Sequence, residues 1–265
     1  MTYIQLSYWD IAMAATLLTV NAGLSIYYRL GTEKRLLIAA ARMTVQLTMV
    51  ALVLKALFAT VSPWLTLLAA LVMVAFAGRE AMARQERTFI GFWGYGLGTV
   101  SMLIAAGIVL LFTLSTQLHA DPWYDPRYAI PILGMILGNT MTGVSLSLDR
   151  LLAEADSGRA RIEARLALGH SFREAMQQPL KSAMRAGLIP TVNGMAAAGL
   201  VSLPGMMTGQ ILAGVDPVEA VKYQLLIMFL LAGGTALGVF CATMIALKRL
   251  TDPRQRLRLD RLRVE

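Results

Sequence analysis

This sequence is short of charge. Charged residues make up 15% of its 265 positions and hydrophobic ones 57%. Mean hydropathy is +0.60, whereas soluble domains are nearer one quarter charged. The balance excludes an ordinary soluble domain and leaves an integral membrane protein. A single cysteine, Cys241, excludes any intrachain disulfide; it lies in an apolar run, where it packs as a small hydrophobe. Two histidines, His119 and His170, leave little material for an imidazole metal site. No GxxxxGK pattern occurs, so no phosphate-cradling loop is expected and the chain by itself hydrolyses no ATP. There is no Ser/His/Asp set, no carboxylate pair within the apolar runs and no zinc-ligand spacing, so it does not read as an enzyme. Those runs hold no Asp or Glu at all, which argues against a secondary transporter that couples to ions through an intramembrane acid. No basic n-region precedes the first run, which is therefore expected to persist as a span.

What is present is apolar length. A spanning helix needs roughly 20 mostly apolar residues, and seven stretches are long enough. They are Ile11–Tyr28, Leu36–Phe58, Val61–Gly78, Gly91–Thr116, Tyr128–Leu148, Leu188–Val215 and Tyr223–Leu247. Placing the N-terminus outside puts 20 of the 24 basic residues in the inner segments, seven of them in 149–187 and seven after Leu247. The outer connections hold Asp121, Asp125 and Asp216 beside Arg127. The positive-inside rule thus gives an all-α, N-out/C-in membrane protein, one transmembrane domain over residues 1–265. The net charge of +8 follows this sidedness and does not point to nucleic acid. The basic tail 248–265 reads as an amphipathic cytoplasmic end resting on anionic lipid.

The polar segment 149–187 is too patterned to be a connector. Ser171 followed three residues later by Glu174 is a capping box, so one helix is expected to stop at Gly169 and another to start after Ser171. Pro179 can open a third helical piece. A helix–Gly–helix elbow carrying Arg161, Arg165 and Arg173 is a candidate docking surface.

Several polar residues lie at bilayer depth. Arg42 and Gln46 share a face of the second span one turn apart. They fit either snorkelling toward headgroups or lining a polar cavity. Lys55 reads as a snorkelling anchor. Gly94 and Gly98 have the spacing that lets two helices approach closely. His119, Asp121 and Asp125 could suggest a metal, but two Asp-Pro pairs are ordinary turn chemistry, the reading taken here. Asn139 and Thr140 sit mid-span in the fifth run, and Asn193 in the sixth. The sixth run covers 28 residues (188 to 215), about 42 Å as one helix. Leu203-Pro204-Gly205 interrupts it ahead of Met206, Met207 and Gln210. Broken helices with polar groups near the midplane are where transporters hold substrate; small polar residues also serve as helix glue.

Glu163-Ala164-Arg165, with Gly169 six residues after the glutamate, resembles the EAA loop of ABC transporter permeases, whose two short helices sit in a cleft of the ATPase subunit. The wider run 162–193, with Gly138–Gly143 and Leu203–Gln210, looks like the FetB-type (YbbM-like) permease family, related to plant aluminium-tolerance half-transporters. The resemblance covers most of residues 131–238 and, more loosely, Arg42–Gln46. It implies a homodimeric permease of the inner (plasma) membrane and a separate soluble ABC ATPase, the partner that binds ATP and Mg. Iron or another metal ion is the implied export cargo, with a nucleotide sugar or other small polar solute as the alternative. By the resemblance Glu163, Ala164, Arg165, Gly169, Phe172 and Arg173 would couple to the ATPase. Arg42, Gln46, Asn139, Thr140, Asn193, Met206, Met207 and Gln210 would line the path. Arg165 stands where importers usually have a small residue, so contact details do not carry over. No metal ligand set is assigned and the chain itself needs no cofactor. A membrane anchor or receptor subunit without transport is the remaining rival, and it has no need of a broken helix.

Overall fold

Where water is absent, each backbone N–H and C=O must be satisfied within the segment, so the apolar runs become helices. The computed structural model describes residues 7–83, 85–116 and 121–264; Arg84 and His119 lie outside them. Among the described residues six helices are long and apolar enough to cross a membrane: α1 (Tyr8–Tyr27), α2 (Glu33–Thr60), α3 (Pro63–Met82), α4 (Phe92–Thr116), α5 (Pro126–Ser157) and α10 (Pro217–Arg249). Between α5 and α10 come α6 (Arg159–Ala167), α7 (Phe172–Ala175), α8 (Gln177–Ala197) and α9 (Gly205–Leu212). Two short strands, β1 (Arg87–Phe89) and β2 (Leu262–Val264), pair antiparallel.

The sixth expected span, Leu188–Val215, is not one helix. Its first part is the end of α8, which stops at Ala197; Ala198 is extended, and Gly199 takes a φ of +88°. The interruption therefore begins ahead of Pro204. The fifth span also runs on past Leu148 to Ser157, a 32-residue helix of about 48 Å. Its extension is polar on one side, but Leu151, Leu152 and Ala155 are fully buried on the other.

The chain divides into two compact units, residues up to Val61 with Leu212–Gly214, and Ser62–Ile211 with Val215 onward. The first holds the α1–α2 hairpin. Ser7 and Asp10 form a capping box at the start of α1. The hairpin turn is held by Ser25, whose hydroxyl donates to Glu33 Oε2 (2.9 Å) and accepts from the Thr32 backbone N–H (3.1 Å).

In the second unit α5 is the central helix, packed by α3, α4, α8 and α10. Its crossing with α8 is made by glycines. A Cβ on Gly143 would stand 2.8 Å from the Gly187 carbonyl oxygen, and one on Gly187 would stand 2.6 Å from that of Gly143. Only small residues permit such an approach. The expected close approach of α4 likewise occurs at Gly98, seated on Gly78 of α3.

The tail differs from the amphipathic, lipid-resting end expected from its charge. Leu257, Leu259 and Leu262 pack against the core, and β2 pairs with β1 in the register Arg87↔Val264, Thr88↔Arg263, Phe89↔Leu262. The physical reason is period: Leu262-Arg263-Val264 alternates apolar and charged side chains with a repeat of two, which suits extended backbone.

Candidate functional site

The elbow forms as its local chemistry dictates. Gly169, at φ +90°, ends α6 in a Schellman arrangement: the His170 N–H donates to the Arg165 carbonyl (3.2 Å) and the Gly169 N–H to that of Leu166 (3.0 Å). Two residues on, the Ser171 hydroxyl accepts from the Glu174 N–H, and the Glu174 carboxylate accepts from the Ser171 N–H (2.8 Å). Hydrogen bonds from the Ser171 hydroxyl, and then from its backbone, hold the Glu174 carboxyl below the usual carboxylate range. Arg165 spans the elbow, its guanidinium donating to the Glu174 carbonyl at 3.3 Å.

Buried apolar groups fix this elbow to α5. Ile162 and Met176 are fully buried and Phe172 nearly so, in one cluster with Leu151 and Leu152. Outside the apolar runs, each such side chain is worth roughly 1.5–3 kcal/mol on leaving water. A polar link joins the two helices that flank the elbow: the Ser182 hydroxyl of α8 donates to Glu154 Oε1 of α5 (2.6 Å), and Arg150 pairs with the same carboxylate (2.7 Å). The α3–α4 connection is tied in by Arg87, which meets Asp156 at 3.2 Å.

Of the six residues assigned to coupling, Glu163, Ala164, Gly169 and Arg173 are exposed and Arg165 is half-buried. Glu163 is engaged by Arg159 at 2.8 Å. Phe172 points into the core and anchors the elbow. Two neighbours were not legible as site residues. Leu168, at the elbow tip, is 79% exposed. Gln255, in the tail, accepts the Phe172 backbone N–H on its side-chain oxygen at 2.7 Å. The available signal for the second was the Asp252-Pro253 turn ahead of an alternating segment. Asp252 organises that turn, accepting the Arg254 and Arg256 N–H groups at 2.9 and 3.0 Å. Its carboxyl is held low first by the Arg256 backbone bond and then by that side chain. Asp260 is lowered to about 2 by its hydrogen bond from Arg258.

Within the second unit the path residues are not brought to one place. Thr140 is fully buried, with its hydroxyl unpartnered. Asn139 is exposed, and its amide donates to the Met135 carbonyl of its own helix at 3.0 Å. Adjacent positions on a helix face different ways, so the two cannot serve one surface. Asn193 is exposed on α8, while Met206, Met207 and Gln210 are half-buried on α9. The Gln210 side-chain oxygen is buried without a partner. Arg42 and Gln46 belong to the first unit and are exposed on α2. At the break the turn is hydrogen-bonded. Ala197 accepts from Val201 (3.0 Å) and Ser202 (3.1 Å), Ser202 from Gly199 (2.9 Å), and Pro204 from Thr208 (3.0 Å). In the loop between α4 and α5, Asp125 caps α5, accepting the Arg127 N–H at 2.8 Å. Among the described residues no group of three or more His, Cys, Asp or Glu could hold a metal ion.

Comparison with known proteins adds a family. The model for "Uncharacterised protein family (UPF0014)" matches residues 8–251. The chain is 36% identical over 249 residues to the UPF0014 membrane protein YjkA of Bacillus subtilis, covering 94% of this chain and 95% of that protein. It is 33% identical over 257 residues to the "Probable iron export permease protein FetB" of Escherichia coli, 96% of each. It is 32% identical over 232 residues to "Protein ALUMINUM SENSITIVE 3" of Arabidopsis thaliana, 87% of this chain and 83% of that one. No solved structure matches.

Proposed function

The chain belongs to the UPF0014 family and is a multi-pass membrane protein, and from that premise we propose that it is the permease subunit of an ATP-driven ABC transporter. The observation that carries the reading is the elbow. It is capped on both sides of Gly169 and seated by Ile162, Phe172 and Met176 on the end of a membrane-length helix. An element so braced transmits displacement as a rigid body, because packed interiors do not deform continuously. ATP-driven closure of two soluble ATPases would push the elbows of a permease homodimer and rock α5 and α8 about their glycine crossing. The reading places the N-terminus outside and the elbow and tail in the cytoplasm, in the inner (plasma) membrane.

The E. coli relative's name supports export of iron or another metal ion as the cargo. A second reading, a nucleotide sugar or similar polar solute, is favoured by the Gln210 side-chain oxygen, buried without a partner on α9, an acceptor that suits a hydroxyl-bearing ligand. Inside-out vesicles holding the chain and its ATPase decide between them. ATP-dependent uptake of iron(II) supports the metal reading, and uptake of a nucleotide sugar supports the alternative. Uptake of neither, while ATP is hydrolysed normally, would overturn both.

A further inference from the structure

The C-terminal turn lies against the elbow, in a part of the chain that the coupling motif does not reach. Gly169, His170 and Ser171 line one side of a solvent-open depression; Pro253, Arg254 and Gln255 line the other. The two sides are joined by the hydrogen bond from the Phe172 N–H to the Gln255 side-chain oxygen. Gln255 holds a left-handed backbone, φ 58°, a conformation that a residue with a Cβ resists. Such strain persists only where its surroundings over-determine it. Here the Asp252 turn on one side and the Phe172 bond on the other do so. Beyond Gln255 the tail continues into β2 and its pairing with β1, so the turn is held at both ends.

We propose that the ATPase docks on a composite surface, made jointly by the elbow tip Leu168–Ser171 and the C-terminal turn Pro253–Gln255, with Gln255 as the positioning residue that keeps them in register. The inference rests on the permease reading and extends it to residues outside the coupling motif. It also states the partner's chemistry. Leu168 presents an apolar knob; Arg173, just past the elbow tip, and Arg254, in the turn, are exposed, while the exposed Glu163 of α6 is paired with Arg159. The nearby carboxylates of Glu174 and Asp252 are already occupied by Ser171 and by the turn's own N–H groups. The complementary surface is a protein groove with an apolar floor and an acidic rim.

The test uses the full chain in detergent with the soluble ATPase that co-purifies with it, measuring their affinity and, separately, hydrogen exchange of the Phe172 amide. Gln255→Ala removes the acceptor. It is expected to speed Phe172 exchange and weaken association, each roughly 3–10-fold. Gln255→Glu keeps an acceptor and is expected to match the parent in both. Arg254→Glu should weaken association and leave Phe172 exchange unchanged, a split that a merely structural tail would not produce. Faster exchange with unaltered affinity in Gln255→Ala, or parental affinity in Arg254→Glu, overturns the composite surface. Should Gln255→Ala fail to accumulate, the Arg254→Glu result decides alone. If the parent chain binds no ATPase, the permease reading itself fails and this inference falls with it. If the parent binds and Gly169→Val weakens it while both tail variants bind normally, only the inference fails.

Discussion

Substitution of Gly169 isolates the backbone from everything else at the elbow. Its φ is +90°, and a Cβ built there meets no heavy atom within 4 Å. Any cost is therefore conformational, not steric. For a residue with a Cβ that cost is about 1–2 kcal/mol, a factor of roughly 5–30 in the population of the native elbow. Gly169→Ala should weaken ATPase association by about that factor, Gly169→Val by at least as much, and Gly169→Asn by less, because asparagine tolerates the left-handed region. The assay is equilibrium binding of the purified permease to its ATPase in detergent, with thermal melting of the permease as control. Melting should fall by only a few degrees, since about 1–2 kcal/mol is small against the unfolding of a chain this size. Parental binding by both Ala and Val variants would refute the claim that the left-handed turn orients the docking surface.

Three further outcomes concern other parts of the molecule. A cysteine at Ser157 in a Cys241→Ala background should react with an impermeant thiol reagent only after the membrane is opened; reaction in intact cells would reverse the proposed orientation. Gln210→Ala, which removes the buried unpartnered acceptor, should insert, bind the ATPase and hydrolyse ATP but lose cargo export, and normal transport would return Gln210 to a structural role. The pH dependence of the water-exposed end has a definite sign. Glu174, Asp252 and Asp260 all have depressed carboxyl values, so their stabilisation is complete above the unfolded carboxylate range and is lost as pH falls through the folded values. For Asp260 that window runs from its ordinary 3.8 down to about 2. Limited proteolysis of the tail should therefore be constant from neutral pH to about 5 and rise below it; a rise beginning near neutrality would contradict the assignment.

The parts legible in the sequence are those written in local chemistry. Ser171 and Glu174 satisfy each other's backbone partners within one turn, and Gly169 needs no distant contact to end α6, so the elbow could be placed without knowing its surroundings. The long apolar runs were legible because length and composition alone decide them. What escaped depends on partners far along the chain. The extension of α5 to Ser157 is polar in sequence because Arg150, Glu154 and Asp156 answer Ser182 and Arg87, contacts no window of neighbouring residues contains. The tail's return depends on β1, which lies well over a hundred positions earlier. At the break, Pro204 was the visible breaker, yet Gly199 and the bonds to Ala197 turn the chain first. Asn139 and Thr140 looked alike as mid-span polar residues, but one residue's rotation puts the first at the surface and the second in the core. Because the Thr140 hydroxyl is buried there without a hydrogen-bond partner, Thr140→Val should be accepted with little loss of stability.

The central claim is that the elbow couples this permease to a separate ATPase, and co-purification tests it most directly. The tagged full-length chain, crosslinked in native membranes and solubilised, should bring down a soluble protein that carries a GxxxxGK loop, in equal amount to the permease. Gly169→Val and Glu163→Lys permeases, inserted at parental levels, should recover several-fold less of it. Recovery of no ATPase by the parent chain, or equal recovery by all three, would contradict the account.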